Sequence, residues 1–84
     1  MTYMKTYTYR IIIEPDGKKF HAYVPALPGC HTFGKTFAEA RKYIKEAIIG
    51  YIECLVKEGD FVPKDEGMET YESIRLDSAM KVYA

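Results

Sequence analysis

The sequence has few cysteines and no surplus of either charge. Cys30 and Cys54 are too few for a disulfide scaffold. Twelve basic and twelve acidic residues give a formal net charge of +0, whereas a broad nucleic-acid footprint normally needs a basic excess. A disulfide-stapled domain and a general nucleic-acid binder are therefore disfavoured, and only a local basic patch stays open.

Long apolar runs are missing as well. The first 20 residues contain no signal-peptide core, and no apolar run approaches the length of a membrane span. We therefore expect a soluble, cytoplasmic protein with reduced thiols. A Cys30–Cys54 disulfide is the alternative, and only a suitable separation of the two Cα atoms would support it.

The length and composition of the chain indicate one small globular domain. Its 84 residues are 48% hydrophobic with dispersed charge, which is typical of a folded chain. A domain of this size has a thin core, so association adds useful burial. We expect a homo-oligomer, and the sequence does not choose between a dimer and a tetramer.

The N-terminal half predicts three short strands. Residues 3–14 are rich in Tyr, Thr and Ile and favour a strand. The following "PDGK" predicts a tight hairpin loop, and residues 18–24 form the return strand. Pro25 and Pro28 end that strand, and "CHTF" (30–33) is long enough for a third strand.

A long helix follows the third strand. Thr36 and Glu39 form a T-x-x-E capping box, and Gly59 predicts a helix end near Glu58. Seven apolar residues recur at helical spacing and are expected to cover the sheet: Phe37, Ala40, Ile44, Ala47, Ile48, Tyr51 and Leu55.

The apolar arc of this helix is wider than one small sheet requires. Ile49, Ile52 and Val56 extend it past the sheet-facing side. One interpretation is that the C-terminal tail covers them, and the other is a subunit interface. We favour the interface, because small domains gain from association.

The C-terminal part predicts a loop over residues 60–70 and a last strand over 71–76, with Ile74 and Leu76 inward. The order is then β-β-β-α-β, an α+β arrangement in which one long helix covers one face of a sheet. The remaining "DSAMKVYA" adds at most a little extended structure.

Cys30 and His31 are the most reactive-looking pair. A zinc site needs about four ligands, and paired motifs such as C-x-x-C are absent. Adjacent strand residues point to opposite faces, so His31 is badly placed to activate Cys30. We interpret "LPGCHTFGKTFAEA" (27–40) as a structural corner and Cys30 as a packing residue.

The carboxylates and glycines do not form a catalytic pattern either. Glu14 and Asp16 flank the hairpin, and the other acidic candidates lie in a loop, whereas a two-metal nuclease needs converging carboxylates. No glycine-rich phosphate loop occurs. We therefore predict a non-enzyme without catalytic, cofactor or metal residues.

The eight tyrosines indicate a contact surface. Tyr7, Tyr9 and Tyr23 resemble an aromatic platform for single-stranded nucleic acid, but tyrosine is also common in protein interfaces. Because the chain is neutral, we favour protein contact. The predicted partner surface is Tyr7, Tyr9, His21 and Tyr23.

The segment "YVPALPGCHTFGKTFAEARKYIKEAIIGYI" closely resembles the N-terminal domain of the HicB antitoxin family. The resemblance covers residues 7 to about 77. The motif residues are Pro25, Leu27, Pro28, Gly29, Cys30, Gly34, Thr36, Glu39, Ala40, Ile44, Glu46, Ala47 and Ile48.

This resemblance implies a partial ribonuclease-H-like fold, with a mixed sheet whose fourth strand is parallel to the first. It implies a type II antitoxin that binds and neutralises a HicA-like toxin, a small mRNA-cleaving ribonuclease with a catalytic histidine. Two alternatives stay open. One is an orphan HicB-like domain that binds a protein or ligand as a homo-oligomer, and the other is a metal-dependent nuclease using Glu14 or Asp16.

Many HicB proteins also carry a C-terminal DNA-binding domain. Here eight residues follow the last predicted strand, too few for such a domain. We expect residues 1–84 to form a single HicB-like domain, and autoregulation by direct DNA binding is in doubt.

Overall fold

The computed structural model describes residues 5–77, which form three strands followed by one helix. Strand β1 spans Ile12–Asp16, β2 spans Lys19–Tyr23 and β3 spans His31–Gly34. Helix α1 spans Phe37–Lys57. The strands form one antiparallel sheet in the order β1-β2-β3. The predicted α+β class is confirmed.

The first hairpin starts later than predicted. β1 begins only at Ile12, residues 5–11 carry no strand pairing, and residues 3 and 4 lie outside the described part of the chain. Gly17 and Lys18 form the turn, with Gly17 at φ 64°. Pro15 belongs to β1 rather than to the loop. β1 is an edge strand, where a missing amide proton need not cost a ladder bond.

Residues 24–30 form the corner between β2 and β3. The amide of Leu27 donates to the carbonyl of Val24 at 3.0 Å, and the amide of Cys30 donates to the carbonyl of Leu27 at 3.0 Å. Gly29 has φ 82°, a left-handed conformation that favours glycine. Leu27 and Cys30 are 0% and 5% exposed. The predicted structural corner and the packing role of Cys30 are confirmed.

Helix α1 begins and ends near the predicted residues. The Thr36 hydroxyl accepts from the amide of Glu39 at 3.0 Å. The Glu39 carboxylate accepts from the amide of Lys35 at 2.9 Å, one residue before the partner expected in a capping box. Glu58 caps the C-terminus, and Gly59 follows with φ 72°.

The core lies between the sheet and α1. Its buried residues are Ala22, Val24, Leu27, Cys30, Ala40 and Ile44. Ala47, Ile48 and Tyr51 pack against this cluster, as predicted. Phe37 is 56% exposed rather than covering the sheet, and it borders a surface cavity together with Arg41 and Ile11–Ile13.

The predicted fourth strand is not formed. Residues 71–76 have no strand pairing, and Ile74 and Leu76 are 79% and 55% exposed rather than inward. Within residues 5–77 the sheet is antiparallel throughout, not mixed. The tail nevertheless follows β1 in the parallel direction, because Asp65 bonds Arg10 and Tyr71 lies beside Ile11–Ile13. The segment after Asp77 lies outside the described residues.

Candidate functional site

The sheet has one covered face and one open face. On β2, Phe20 and Ala22 belong to the core beneath α1. Successive strand residues point to opposite faces, so His21 and Tyr23 point away from the helix. In residues 5–77 no helix packs on that side.

The same alternation places two side chains of β3 on the open face. Gly34 lies directly against the backbone of Ala40 at the start of α1. His31 and Phe33 therefore point away from the helix. The register pairs His21 with Phe33 and Tyr23 with His31. We call the resulting surface the open sheet face; it comprises Ile12, Glu14, Asp16, Lys19, His21, Tyr23, His31 and Phe33.

Four rings form a continuous cluster in the middle of this face. The ring of His21 stacks on Phe33 at 4.8 Å and on Tyr23 at 5.5 Å between centroids. It meets the edge of His31 at 5.3 Å. The Lys19 Nζ lies 4.3 Å from the centroid of Phe33, a cation–π contact. His21 is thus the centre of the cluster.

These contacts hold the rings in place before any partner arrives. Aromatic pairs are worth about 0.5–1.5 kcal/mol beyond their buried area. A partner that packs on ordered rings loses less side-chain entropy on binding. Aromatic side chains are enriched in the cores of protein interfaces. The open sheet face therefore presents an ordered aromatic surface.

The negative side of this face lies on β1. Glu14 is directly opposite His21 in the β1–β2 ladder, and Asp16 is opposite Lys19. The face thus presents an aromatic centre with carboxylates along one edge. Among residues 5–77, no group of three or more His, Cys, Asp or Glu residues could hold a metal ion.

Cys30 and His31 lie on opposite sides of the sheet, as predicted. The Cys30 thiol is in the core, where burial raises its pKa, and a thiol rather than a thiolate is a poor nucleophile. Both Cys30 and Cys54 are free, so the alternative of a disulfide between them is wrong.

The structure does not bring the four predicted partner residues together. Tyr7 and Tyr9 stack on each other at 6.4 Å, and Tyr9 packs against the core. The Tyr9 hydroxyl donates to the carbonyl of Pro63 at 2.6 Å, and desolvation raises its pKa. The two tyrosines line a cleft of about 630 Å³ together with the start of the tail. Only His21 and Tyr23 belong to the open sheet face.

The sequence analysis did not identify Phe33 as part of this surface, and it gave His31 no role in it. The spacing of His31 and Phe33 is the signal that was available, because residues two apart on a strand share a face. Their proximity to His21 depends on the β2–β3 register, which a single sequence does not define.

The predicted oligomer residues lie on one flank of α1. Ile49 and Val56 are 57% and 60% exposed, and Ile52 is half-buried. Their spacing places all three on one stripe of the helix. The structure thus leaves an apolar strip there, and its role as an interface stays a prediction.

A family model described as a HicB-like antitoxin of bacterial toxin-antitoxin systems matches residues 9–79. The chain belongs to this family. The HicB-like match spans the sheet, the helix and the tail, so it includes both the open sheet face and the flank of α1.

Relatives of this HicB-like chain come from archaea, cyanobacteria and a phage. A UPF0150 protein of Thermoplasma acidophilum is 48% identical over 62 residues, covering 73% of this chain and 90% of the relative. A UPF0150 protein of Synechocystis is 44% identical, covering 79% and 85%. An uncharacterised protein of Haemophilus phage HP1 is 36% identical, and 47% of its length is covered.

The fold is also similar to a solved structure. The N-terminal domain of the Burkholderia pseudomallei antitoxin HicB matches with a TM-score of 0.57 and 38% identity, and the match covers 62% of each chain. No helix within residues 5–77 has the length and apolar character that a membrane span requires.

Proposed function

We propose that this protein is the antitoxin of a type II toxin-antitoxin system and neutralises a HicA-like mRNA-cleaving toxin. The family match over residues 9–79 carries the proposal. The likeness to a HicB antitoxin domain at 38% identity supports it.

We assign the toxin contact to the open sheet face. Its four-ring cluster offers ordered apolar area, and Glu14 and Asp16 add negative charge along one edge. A protein that cleaves RNA must bind a polyanion, and it therefore presents basic residues around its active site. Carboxylates beside an aromatic centre are complementary to such a surface.

The test is an affinity capture of the tagged protein from its own host, followed by mass spectrometry. We expect a small basic protein in near-equal amount. Recovery of the bait alone would instead favour the orphan alternative, a homo-oligomeric HicB-like domain that binds another protein or ligand. A neighbouring reading frame for a short basic protein would count against that alternative.

A matched pair of variants locates the contact. Phe33 and Tyr43 are each 39% exposed aromatic residues, but only Phe33 belongs to the open sheet face. Phe33→Ser should abolish recovery of the small basic protein, whereas Tyr43→Ser should leave it unchanged. Equal recovery by both folded variants, checked by circular dichroism, would place the contact elsewhere.

A further inference from the structure

The tail exposes large apolar side chains that its own chain leaves uncovered. Their exposed fractions run from 55% to 91%, for Phe61, Met68, Tyr71, Ile74 and Leu76. Large exposed apolar side chains grouped in one segment mark a candidate interaction surface.

The start of the tail is fixed to the N-terminal segment. Asp65 accepts from the backbone amide of Arg10 at 2.8 Å and from its Nε at 3.1 Å. The same carboxylate accepts from the amide of Gly67 at 2.9 Å. These bonds lower the pKa of Asp65. The direction in which the tail leaves Asp65 is thus defined by a charge-assisted anchor.

From this anchor the tail runs back along α1 to the first turns of the helix. It starts at Gly59, beyond the C-terminus of α1, and by Tyr71 it shares a cavity with Phe37 and Arg41 in the first turns. We call residues 71–77 the arm. The radius of gyration is 17.8 Å, against about 12 Å for a compact chain of 84 residues, so the molecule is extended. Ile74 and Leu76 of the arm stay 79% and 55% exposed.

One stripe of α1 is available to receive such a segment. Its N-terminal half is net basic, and its groove of about 360 Å³ is lined by Arg41, Lys42 and Lys45 with the single carboxylate Glu46, and by Ala38 and the exposed Ile49. Its C-terminal half is apolar and continues through Ile52 to Val56. The stripe is defined here as Arg41, Lys42, Lys45, Ile49, Ile52 and Val56.

The charges of the tail complement those of the stripe. Residues 64–77 contain five acidic and two basic residues. Going along the chain, Glu69 and Glu72 precede Ile74 and Leu76, just as the basic half of the stripe precedes its apolar half. The two surfaces therefore match in sign and in order.

The spacing matches too. In an extended chain Glu72, Ile74 and Leu76 point to the same side, and about 10 Å separates Glu72 from the middle of the Ile74–Leu76 pair, at about 3.3 Å per residue. Along α1, about 11 Å separates Lys45 from the middle of the apolar group, at about 1.5 Å per residue. An extended segment can thus satisfy both halves of the stripe at once.

We propose that the arm of one copy lies on the helix stripe of a second copy, and that the exchange is reciprocal in a two-fold dimer. The arm meets its own stripe only at Arg41, beside Tyr71, and it leaves the apolar half of that stripe uncovered, with Ile49 57% and Val56 60% exposed. This contact goes beyond the antitoxin function and uses none of the open sheet face.

The test is the molar mass in solution, measured by light scattering after gel filtration at high protein concentration. The native chain should have at least twice its 9.7 kDa monomer mass. Ile74→Glu with Leu76→Glu should give monomers. Phe61→Ser is the control, because Phe61 is 87% exposed but lies outside the arm, and it should keep the native mass. A monomeric native chain, or arm variants of native mass, would overturn the proposal.

A charge exchange tests the pairing itself. One variant carries Lys42→Glu and Lys45→Glu, and the other carries Glu69→Lys and Glu72→Lys. In each variant alone, the tail and the stripe carry charges of the same sign, so each should be monomeric. In an equimolar mixture, the tail of each variant meets a stripe of opposite charge on the other, so a heterodimer should form. A mixture that stays monomeric, or either variant alone retaining the native mass, would show that these charges do not meet.

Discussion

Gly34 at the end of β3 lies so close to Ala40 in α1 that an added Cβ would be 2.7 Å from the Ala40 Cα. The obstacle is helix backbone, which cannot rotate away as a side chain can. This contact sets the distance between α1 and the sheet, and it fixes which residues of β3 reach the open sheet face.

Replacing glycine by alanine should therefore have opposite effects on the free energy of unfolding at Gly34 and at Gly50. Gly34→Ala overpacks the contact with α1 and should lower the free energy of unfolding by about 1–3 kcal/mol. Gly50 is within α1, and nothing lies within 4 Å of an added Cβ there. Gly50→Ala should raise the free energy of unfolding by about 0.5–1 kcal/mol. Urea denaturation measures both, and a neutral Gly34→Ala would refute the close approach.

The anchor at Asp65 should make stability depend on acid pH. Its folded-state pKa is lowered below the ordinary 3.8, first by the hydrogen bond from the Arg10 amide. A carboxylate whose pKa is lower in the folded state than in the unfolded state stabilises the folded protein. This stabilisation is complete above the unfolded-state pKa and is lost as the pH falls through the folded-state pKa. The urea midpoint of the native chain should therefore exceed that of Asp65→Asn at neutral pH.

Below pH 3.8 this difference between the two chains should shrink, because the native carboxylate becomes protonated. Glu66→Gln is the control, since Glu66 is exposed next to the anchor. It should follow the native chain throughout. A difference that stays constant across the acid range would rule out Asp65 as the titrating anchor.

The two thiols should react at very different rates. Cys54 is exposed, whereas Cys30 is 5% exposed and its pKa is raised by burial. The thiolate is the reactive form, so one thiol should react quickly with a chromogenic disulfide reagent and the second only after denaturation. Cys54→Ser should remove the fast reaction. Rapid modification of Cys30 in the folded state would contradict its place in the core.

Local signals in the sequence predicted most of the fold. Thr36, Glu39 and Gly59 mark the ends of α1 through short-range capping, and Pro25, Pro28 and Gly29 mark the corner before β3. These effects act within a few residues, so one sequence contains them. The arrangement of three strands and one long helix follows from such local effects and from the hydrophobic periodicity of the chain.

Longer-range features were harder to predict. The ring cluster depends on the register of β2 and β3, which brings Phe33 to His21. The alternation of Ile74 and Leu76 predicted a strand over residues 71–76, and that prediction is wrong. Pairing needs backbone bonds to a neighbouring edge, and residues 71–76 do not pair with β1 although Tyr71 lies beside Ile12 and Ile13. Local propensity alone does not form a strand without that neighbour.

The most direct test of the antitoxin function is an RNA-cleavage assay with the captured small basic protein, titrated with the native chain and with Phe33→Ser. Cleavage should stop near equimolar native chain and persist with Phe33→Ser. The monomeric Ile74→Glu, Leu76→Glu variant keeps the open sheet face and should still inhibit, which separates neutralisation from dimerisation. Undiminished RNA cleavage at saturating native chain would contradict the antitoxin function.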